Sequence, residues 1–432
     1  MRGEDLQTPA LGPSAPRLDG YREDACSVAD FAAQIAMGRE AQRAQFAHSA
    51  PHGIALYECG TLRDALEDAA ARARLFAEWV HVLRDGAGAI VLRHAYDDTA
   101  PIDAATALFD AIIGAERAQG GAGGDHFAKA GANDRIWNAL EKLCLRSPDV
   151  FAAYYANEFV AAAAEAWLGP QYQMTSQINV VRPGGAAQQA HRDYHLGFQT
   201  VDEAQRFPAH VHTMSPFLTL QGAIAHVDMP IESGPTKLLP YSQRYAPGYL
   251  AWRRADFREY FEAHCVQLPL EKGDALFFNP ALFHAAGDNR TAHVARMANL
   301  LQISSAYGRA MESVDRVAMC EAIYPVLRDG VAIARFSASQ LDAVIASCAE
   351  GYPFPTNLDR DPPLGGLAPP SQQALVREAL AAAWSAEKFS AALHHHAWRR
   401  ETDASAHARE RAQCIGQAPF GDAVRPMGKV GL

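Results

Sequence analysis

Two residues able to hold a metal stand two positions apart at His191 and Asp193. They follow a segment, Gln177-Ile178-Asn179-Val180-Val181, that alternates polar and apolar side chains and is cut by Pro183-Gly184-Gly185. That order reads as strand, turn and second strand, and residues i and i+2 of a strand point the same way. His191 and Asp193 then present an imidazole and a carboxylate side by side, two thirds of the facial triad that binds Fe(II) and leaves positions open. The third ligand must come from far along the chain, because a triad closed locally cannot leave one face of the metal free. His284 is the candidate, following a Gly273-Asp274 turn and the apolar run Ala275-Leu276-Phe277-Phe278. Twelve positions later Arg296 opens another strand-like run. A buried arginine there offers a planar fork for pairing with a carboxylate.

Spacing alone does not choose this pair. His226-Val227-Asp228 has the same types at the same spacing, but it ends the apolar run from Phe217 to Val227 and is followed by Pro230. His226 therefore reads as a packed strand histidine, and Asp228 as a carboxylate fixing the Gly234-Pro235 turn. His195 shares the face of His191 and Asp193 if the strand stays regular. Same-face neighbours are roughly 7 Å apart, too far for three of them to wrap one metal, so His195 is a rival ligand or a partner of the site. Arg290 competes with Arg296 for an anion, but it lies in a polar turn where exposure is the default. His210, His212 and His293 read as surface or loop residues, and His394-His395-His396 as an incidental cluster on a helix.

Elements must bring these residues together. Asp30–Ala50, Thr61–Arg84, Asp103–Gln119 and Ser147–Leu168 are alanine-rich with spaced charges and predict helices packed by one face. Strands are expected at Ala89–Arg93, Gln177–Val181, Phe217–Val227, Thr236–Leu239, Val266–Leu270, Ala275–Phe278 and Arg296–Ser304. Asp134-Arg135-Ile136-Trp137-Asn138 reads as an amphipathic helix with a buried Trp, and Lys129 just before it can reach a carboxylate in the pocket. Short strands with turns between them predict a mainly β core, a double-sheet jelly roll with helices around it. From Ala310 the pattern returns to helix, with a proline-rich break at Gly351–Pro370 before Ser371–Arg400.

His191-x-Asp193, Ser233-Gly234-Pro235-Thr236, Gly273-Asp274, His284, Asn289-x-Thr291 and Arg296, in that order, resemble the phytanoyl-CoA dioxygenase family of Fe(II)/2-oxoglutarate oxygenases over roughly Gly88 to Tyr307. The resemblance implies the jelly-roll (double-stranded β-helix) fold, Fe(II) on His191, Asp193 and His284, and 2-oxoglutarate and O2 as co-substrates. It further implies that Arg296 holds the distal carboxylate of 2-oxoglutarate with Thr291 beside it, and that the amides of Gln177 and Asn179 face the same molecule. The implied reaction hydroxylates an unactivated C–H bond of a small molecule while 2-oxoglutarate goes to succinate and CO2. Where the family has Pro-Gly-Ser-His, this chain has Pro240-Tyr241-Ser242-Gln243.

The 432 residues, about half of them apolar, can bury a sizeable core. The formal charge of −10 is spread without long runs, which favours a small-molecule substrate over nucleic acid or an anionic membrane. Seven scattered cysteines without a CxxC pair encode neither a zinc site nor a disulfide framework and suit a reducing, cytoplasmic setting. The expected organisation is a mobile tail over 1–25, a helical region over 26–87, the oxygenase core over 88–307 and a helical extension over 308–432 that is a candidate homodimer surface. Two other classes remain open on the same His/Asp/His set: a Zn(II) hydrolase or isomerase, and a metal-binding scaffold without catalysis.

Overall fold

The computed structural model of the protein describes residues 20–39, 44–118 and 133–401. Lys129 and most of the tail expected over 1–25 lie outside them. The chain opens with α1 (Val28–Arg39), β1 (Ala55–Glu58), α2 (Cys59–Glu67), α3 (Ala69–Arg84), β2 (Ala89–Arg93) and α4 (Ala100–Ala118). In α3 the Asp68 side chain accepts from the Ala71 N–H at 2.7 Å and caps the first turn. Leu75, Trp79, Val82 and Leu83 then fall on one buried stripe. The region over 26–87, expected to be helical, thus also contributes a strand, β1, which pairs in parallel with β2.

The segment expected as an amphipathic helix is instead strand β3 (Asn133–Ile136), antiparallel to β4 (Gln173–Val181). Its buried Asp134 carboxylate is held by Arg117 from α4 and by Arg182 just past β4, and Asn138 turns left-handed at φ 51°. Trp137 is half-buried. After β3 come α5 (Ala139–Arg146), α6 (Pro148–Tyr155) and α7 (Glu158–Leu168). The single helix expected over 147–168 is cut because the Asn157 side chain caps α7, accepting from the Phe159 and Val160 N–H groups, while its amide donates to the Ala95 carbonyl.

The chain continues through α8 (Val201–Ala204), α9 (Ala209–Met214), β5 (Thr219–Ala225), β6 (Lys237–Leu238), α10 (Gly248–Ala251) and α11 (Ala255–His264). Strands β7 (Ala275–Phe278), β8 (His284–Ala285) and β9 (Arg296–Ser304) follow. One mixed sheet runs β1-β2-β7-β5-β9-β4-β3. A small sheet of β6 and β8 is extended by single bridges, Val266 to Leu238 and His191 to His284; the strand expected over Val266–Leu270 is reduced to bridges at its two ends.

Alternation divides the large sheet into two faces. Ile178, Val180, Leu220, Ile224, Phe277, Met297 and Leu301 point into a core covered by helices. Ala223, Leu276, Phe278 and Ala298 point the other way and pack with Leu238 and Ala285 of the small sheet and with Phe283 just before β8. Gly234 explains the Gly-Pro turn: it sits at φ 73°, and a Cβ there would meet the Asp288 and Gly287 carbonyls at 2.4 and 2.5 Å. Only glycine lets that turn press against the loop after His284.

The C-terminal region forms α12 (Arg316–Ala332), α13 (Ala338–Cys348), α14 (Gln372–Ala381) and α15 (Ala386–Arg400), with no helix across 351–370. The last pair, expected as one helix, is broken where Ala383 takes φ 48°. Met319, Ile323, Val344, Val376 and Phe389 of these helices share one core with Phe151 and Ile178, so the extension packs on the helical side of the sheet. Among the described residues no helix is long and apolar enough to cross a membrane.

Candidate metal centre

The site is built where the end of β4 meets the loop after β8. Gly184 N–H donates to the Asn289 carbonyl at 2.8 Å and Asn289 N–H returns a bond to Gly185 at 2.9 Å. The Asn289 amide also donates to the Val181 and Val294 carbonyls, at 2.8 and 2.7 Å. These ties fold the Pro-Gly-Gly segment back so that His191 lies against His284. The two residues exchange backbone bonds, His191 N–H to the His284 carbonyl at 3.0 Å and the reverse at 3.2 Å. Such a pair brings side chains of two sequence-distant strands together, and the ring centroids are 4.4 Å apart.

The expected second strand stops at that one bridge. Asp193 is in a loop, its N–H donating to the Pro280 carbonyl at 3.2 Å, and the loop then turns through Tyr194 and His195 at φ 62° and 38°. His195 is thereby removed from the row of His191 and Asp193, and its Nδ1 meets the Ser215 hydroxyl at 3.0 Å. His191, Asp193 and His284 are brought together, with one donor atom from each lying within 4.8 Å of the others.

Both imidazoles are oriented by their own backbone. His191 Nδ1 lies 2.8 Å from the Gln189 carbonyl and His284 Nδ1 2.9 Å from the Leu282 carbonyl. A carbonyl only accepts, so Nδ1 carries the proton in each ring and Nε2 is the lone pair left to face the centre. Those Nε2 atoms stand 3.7 and 3.3 Å from the Asp193 carboxylate. Burial pushes the His191 imidazolium pKa down, favouring the neutral ring. Burial opposes ionisation of Asp193, but the positive charge that the imidazoles carry at acid pH and the Gln221 amide hold its carboxyl well below the usual carboxylate range. Two neutral nitrogen donors and one carboxylate converging in this way fit a divalent cation such as Fe(II).

Gln221, on the inward face of β5, donates to Asp193 Oδ2 at 2.5 Å. The sequence reading missed it, although a lone amide inside the apolar run Leu220–Ala225 was a signal. Replacing it with leucine is expected to weaken metal binding about tenfold, since partners that orient a ligand carry about that much affinity. A competition titration of Gln221→Leu with Mn(II) measures this; unchanged affinity would remove Gln221 from the site.

Arg192, between the two ligands, anchors the loop. Fully buried, it donates to the Ser242 and Tyr245 carbonyls at 2.6 and 2.9 Å, and the Ser242 hydroxyl accepts from Phe283 N–H next to His284. Tyr241 adopts φ 70°, a left-handed turn that costs a residue other than glycine roughly 1–3 kcal/mol.

Register places the candidate co-substrate residues. On β9 Arg296 opposes Val181 and Ala298 opposes Asn179, while Leu300 opposes Gln177. Arg296, Asn179 and Gln177 therefore share the face that carries Gln221 and Phe278, and the Phe278 ring lies 4.7 Å from that of His284. Arg296 is 6% exposed. Among the described residues no carboxylate or hydrogen-bond acceptor meets it, and burial alone pushes its pKa down to about 10. Arg290 is exposed. The Thr291 hydroxyl donates to Asn289 Oδ1 at 2.7 Å, so it serves the turn. Gln177 accepts from Arg135 at 2.9 Å, which engages the oxygen of its amide.

The second His-x-Asp pair is not a metal site here. His226 Nδ1 meets the Thr106 hydroxyl and Nε2 the Tyr154 hydroxyl, both at 2.8 Å, which spends both ring nitrogens. Asp228 accepts from Lys272 N–H at 2.9 Å, so it fixes the turn before β7 and not the Gly-Pro turn. Burial drives the His226 pKa down to about 3. The unfolded chain takes up this proton below about pH 6.5 while the folded one does not, so stability falls as pH drops from there towards 3. At pH 5 the expected loss is about 2 kcal/mol. Melts of His226→Gln against wild type between pH 7 and 5 should show a shallower decline in the variant. His212, expected at the surface, is also buried, with Nε2 at 3.0 Å from the Ala204 carbonyl.

Known proteins resemble parts of this chain. Over 128 residues, 30% of this chain, it is 28% identical to dioxygenase trt7 of Aspergillus terreus (strain NIH 2624 / FGSC A1156); it spans about two fifths of that relative, 39% of its length. Among solved structures it resembles the non-heme alpha ketoglutarate dependent epimerase SnoN at 20% identity, covering 55% of this chain and 82% of that one with a TM-score of 0.37. The corresponding carbocyclase SnoK, also from nogalamycin biosynthesis, gives 20% identity, 56% and 86% coverage and a TM-score of 0.39. Residues 69–298, more than half of the chain and the stretch that holds His191, Asp193, His284 and Arg296, match the description of one family, and the chain belongs to it: the phytanoyl-CoA dioxygenase (PhyH) family.

Proposed function

We propose that the protein is an Fe(II)/2-oxoglutarate-dependent hydroxylase of a small molecule, with His191, Asp193 and His284 as iron ligands and Arg296 as the anchor of 2-oxoglutarate. Fe(II) and 2-oxoglutarate are the metal and co-substrate of this family. The observation that carries the residue assignment is the buried Arg296, without an acidic partner among the described residues, on the sheet face whose Gln221 and Phe278 meet the His–Asp–His cluster. A buried guanidinium without an anion is costly, and a dicarboxylate that reaches from the metal to Arg296 supplies one. In this reading Asn179 lines the co-substrate, while Thr291 and Gln177 act through Asn289 and through Arg135. The large sheet and the short His191–β8–β6–Val266 sheet are read as the two sheets of a jelly roll, with the core over 88–307 and helices α12 to α15 of the extension buttressing its helical side.

When bound, iron with 2-oxoglutarate and O2 supplies the oxidising power for C–H chemistry, with succinate and CO2 released and one oxygen atom delivered to the substrate. The chain's part is orientation. Nδ1–H bonds to backbone fix both imidazoles, Gln221 holds one oxygen of Asp193, and Phe278 beside His284 keeps that side of the centre apolar. The test is anaerobic loading with Fe(II), then O2-dependent conversion of 2-oxoglutarate to succinate across a panel of small metabolites, with the stimulating compound gaining one oxygen. Turnover of any compound without O2, or no succinate with any of them, would sink the proposal; an isomerised or ring-closed product would keep the iron and 2-oxoglutarate and discard hydroxylation.

A further inference from the structure

The cations around the cluster differ in what they face. Arg296 is matched by 2-oxoglutarate in the proposal above, and Arg135 donates to Gln177 at 2.9 Å. Arg253 has no such match. It lies between α10 and α11, where its guanidinium carbon stacks 3.8 Å from the ring centroid of Trp252, and one Nη donates to the Gly197 carbonyl at 3.1 Å. The other Nη is shut off from solvent without an acceptor, and so is the indole N–H of Trp252. Burial alone pushes the Arg253 pKa down, and among the described residues no carboxylate pairs with it. The Trp252 ring lies 6.5 Å from that of His191, so cation, indole and first ligand are successive neighbours.

A buried donor left unmade costs roughly 1–3 kcal/mol. Two such donors side by side, next to a ligand cluster, describe a site whose acceptor arrives with a ligand. The loop that offers Gly197 is held for it: Tyr194 and His195 take consecutive left-handed conformations, pinned by Tyr194 to Gln302 and His195 to Ser215. A Cβ at Gly197 would meet the Arg192 carbonyl at 2.1 Å. Strain of this kind persists where surroundings over-determine it and gathers at ligand sites. Stacking fixes the plane of the guanidinium and leaves an edge for an oxyanion.

We infer that Arg253, braced on Trp252, binds an oxyanion of the primary substrate, a carboxylate or a phosphate, and so selects anionic substrates. This rests on the oxygenase reading, in which both carboxylates of 2-oxoglutarate are already engaged elsewhere.

The test uses full-length protein loaded with Mn(II) and saturating 2-oxoglutarate. Calorimetry then compares phenylacetate with phenylacetamide, hexanoate with hexanamide, and phenyl phosphate with phenol. At least one anion is expected to bind about tenfold or more tighter than its neutral match; Arg253→Gln should erase that preference and Arg253→Lys should keep part of it, with melts verifying that both variants fold. Whether an acid or the phosphate shows the preference identifies the handle. No anion preference in the wild type, or a preference that survives Arg253→Gln, overturns the inference, as does an Arg253→Gln that weakens 2-oxoglutarate in place of the anion. The Mn(II) and 2-oxoglutarate steps report separately on the oxygenase reading: if they fail, that reading falls, and if they hold while Arg253→Gln changes nothing, only the subsite falls.

Discussion

Asp193→Ala is expected to abolish Fe(II)-dependent turnover of 2-oxoglutarate while the melting temperature of the metal-free protein moves by no more than about 2 °C. The carboxylate is the only anion in the cluster and stands within 3.7 Å of both imidazoles, so its loss removes one ligand and all the negative charge that favours a cation there. Metal-free stability changes little because the variant also escapes the burial of a charge, and what remains is one Gln221 donor to satisfy, worth about 1 kcal/mol. Asp228→Ala is the matched control. It loses the acceptor for Lys272 N–H, should lower the melting temperature, and should leave metal binding intact. Paired Mn(II) titrations and melts decide between them, and the reverse pattern would move the site to His226 and Asp228.

Arg296→Ala is expected to raise the 2-oxoglutarate concentration needed for half-maximal turnover by about ten- to a hundredfold, with metal affinity unchanged. A charge-assisted bond to a carboxylate is worth roughly 1.5–3 kcal/mol, and each 1.4 kcal/mol is about tenfold. Because Arg296 is buried with no acidic partner among the described residues, the same change should leave the co-substrate-free protein as stable as wild type or more so. The exposed Arg290 supplies the comparison: Arg290→Ala should alter neither quantity. If Arg290→Ala raises the requirement and Arg296→Ala does not, the anchor is misassigned. High salt should weaken any role of Arg290 far more than that of Arg296, whose buried charge is poorly screened.

The sequence by itself determined the types and order of the residues that meet in the His–Asp–His cluster, and the elements whose pattern is self-contained. β7 and β9 run over the residues expected, Ala275–Phe278 and Arg296–Ser304, because each is an apolar run bounded by turn-forming residues, and that is a local property. His226 was separable from His191 for the same reason, since an apolar run ending in proline predicts burial. Sequence also placed Gln177, Asn179 and Arg296 on strands, and a period of two then makes their shared face follow once the register is known.

Tertiary structure decided the rest, because the deciding interactions join distant residues. Asn133–Ile136 has four residues with a single apolar one among them, so nothing local favours a strand over a helix; the free edge of β4 and the pairing of Asp134 with Arg117 and Arg182 do. Asp193 was expected to sit beside His191 through strand pleating, but the strand ends at His191 and a loop bonded to Pro280 delivers the carboxylate. The contact of Gln221 with Asp193 spans 28 positions, the tie of Arg135 to Gln177 spans 42, and that of Arg253 to Gly197 spans 56. None of these pairs leaves a periodic trace, because a polar side chain in a buried row becomes meaningful only when folding brings up the group it must satisfy.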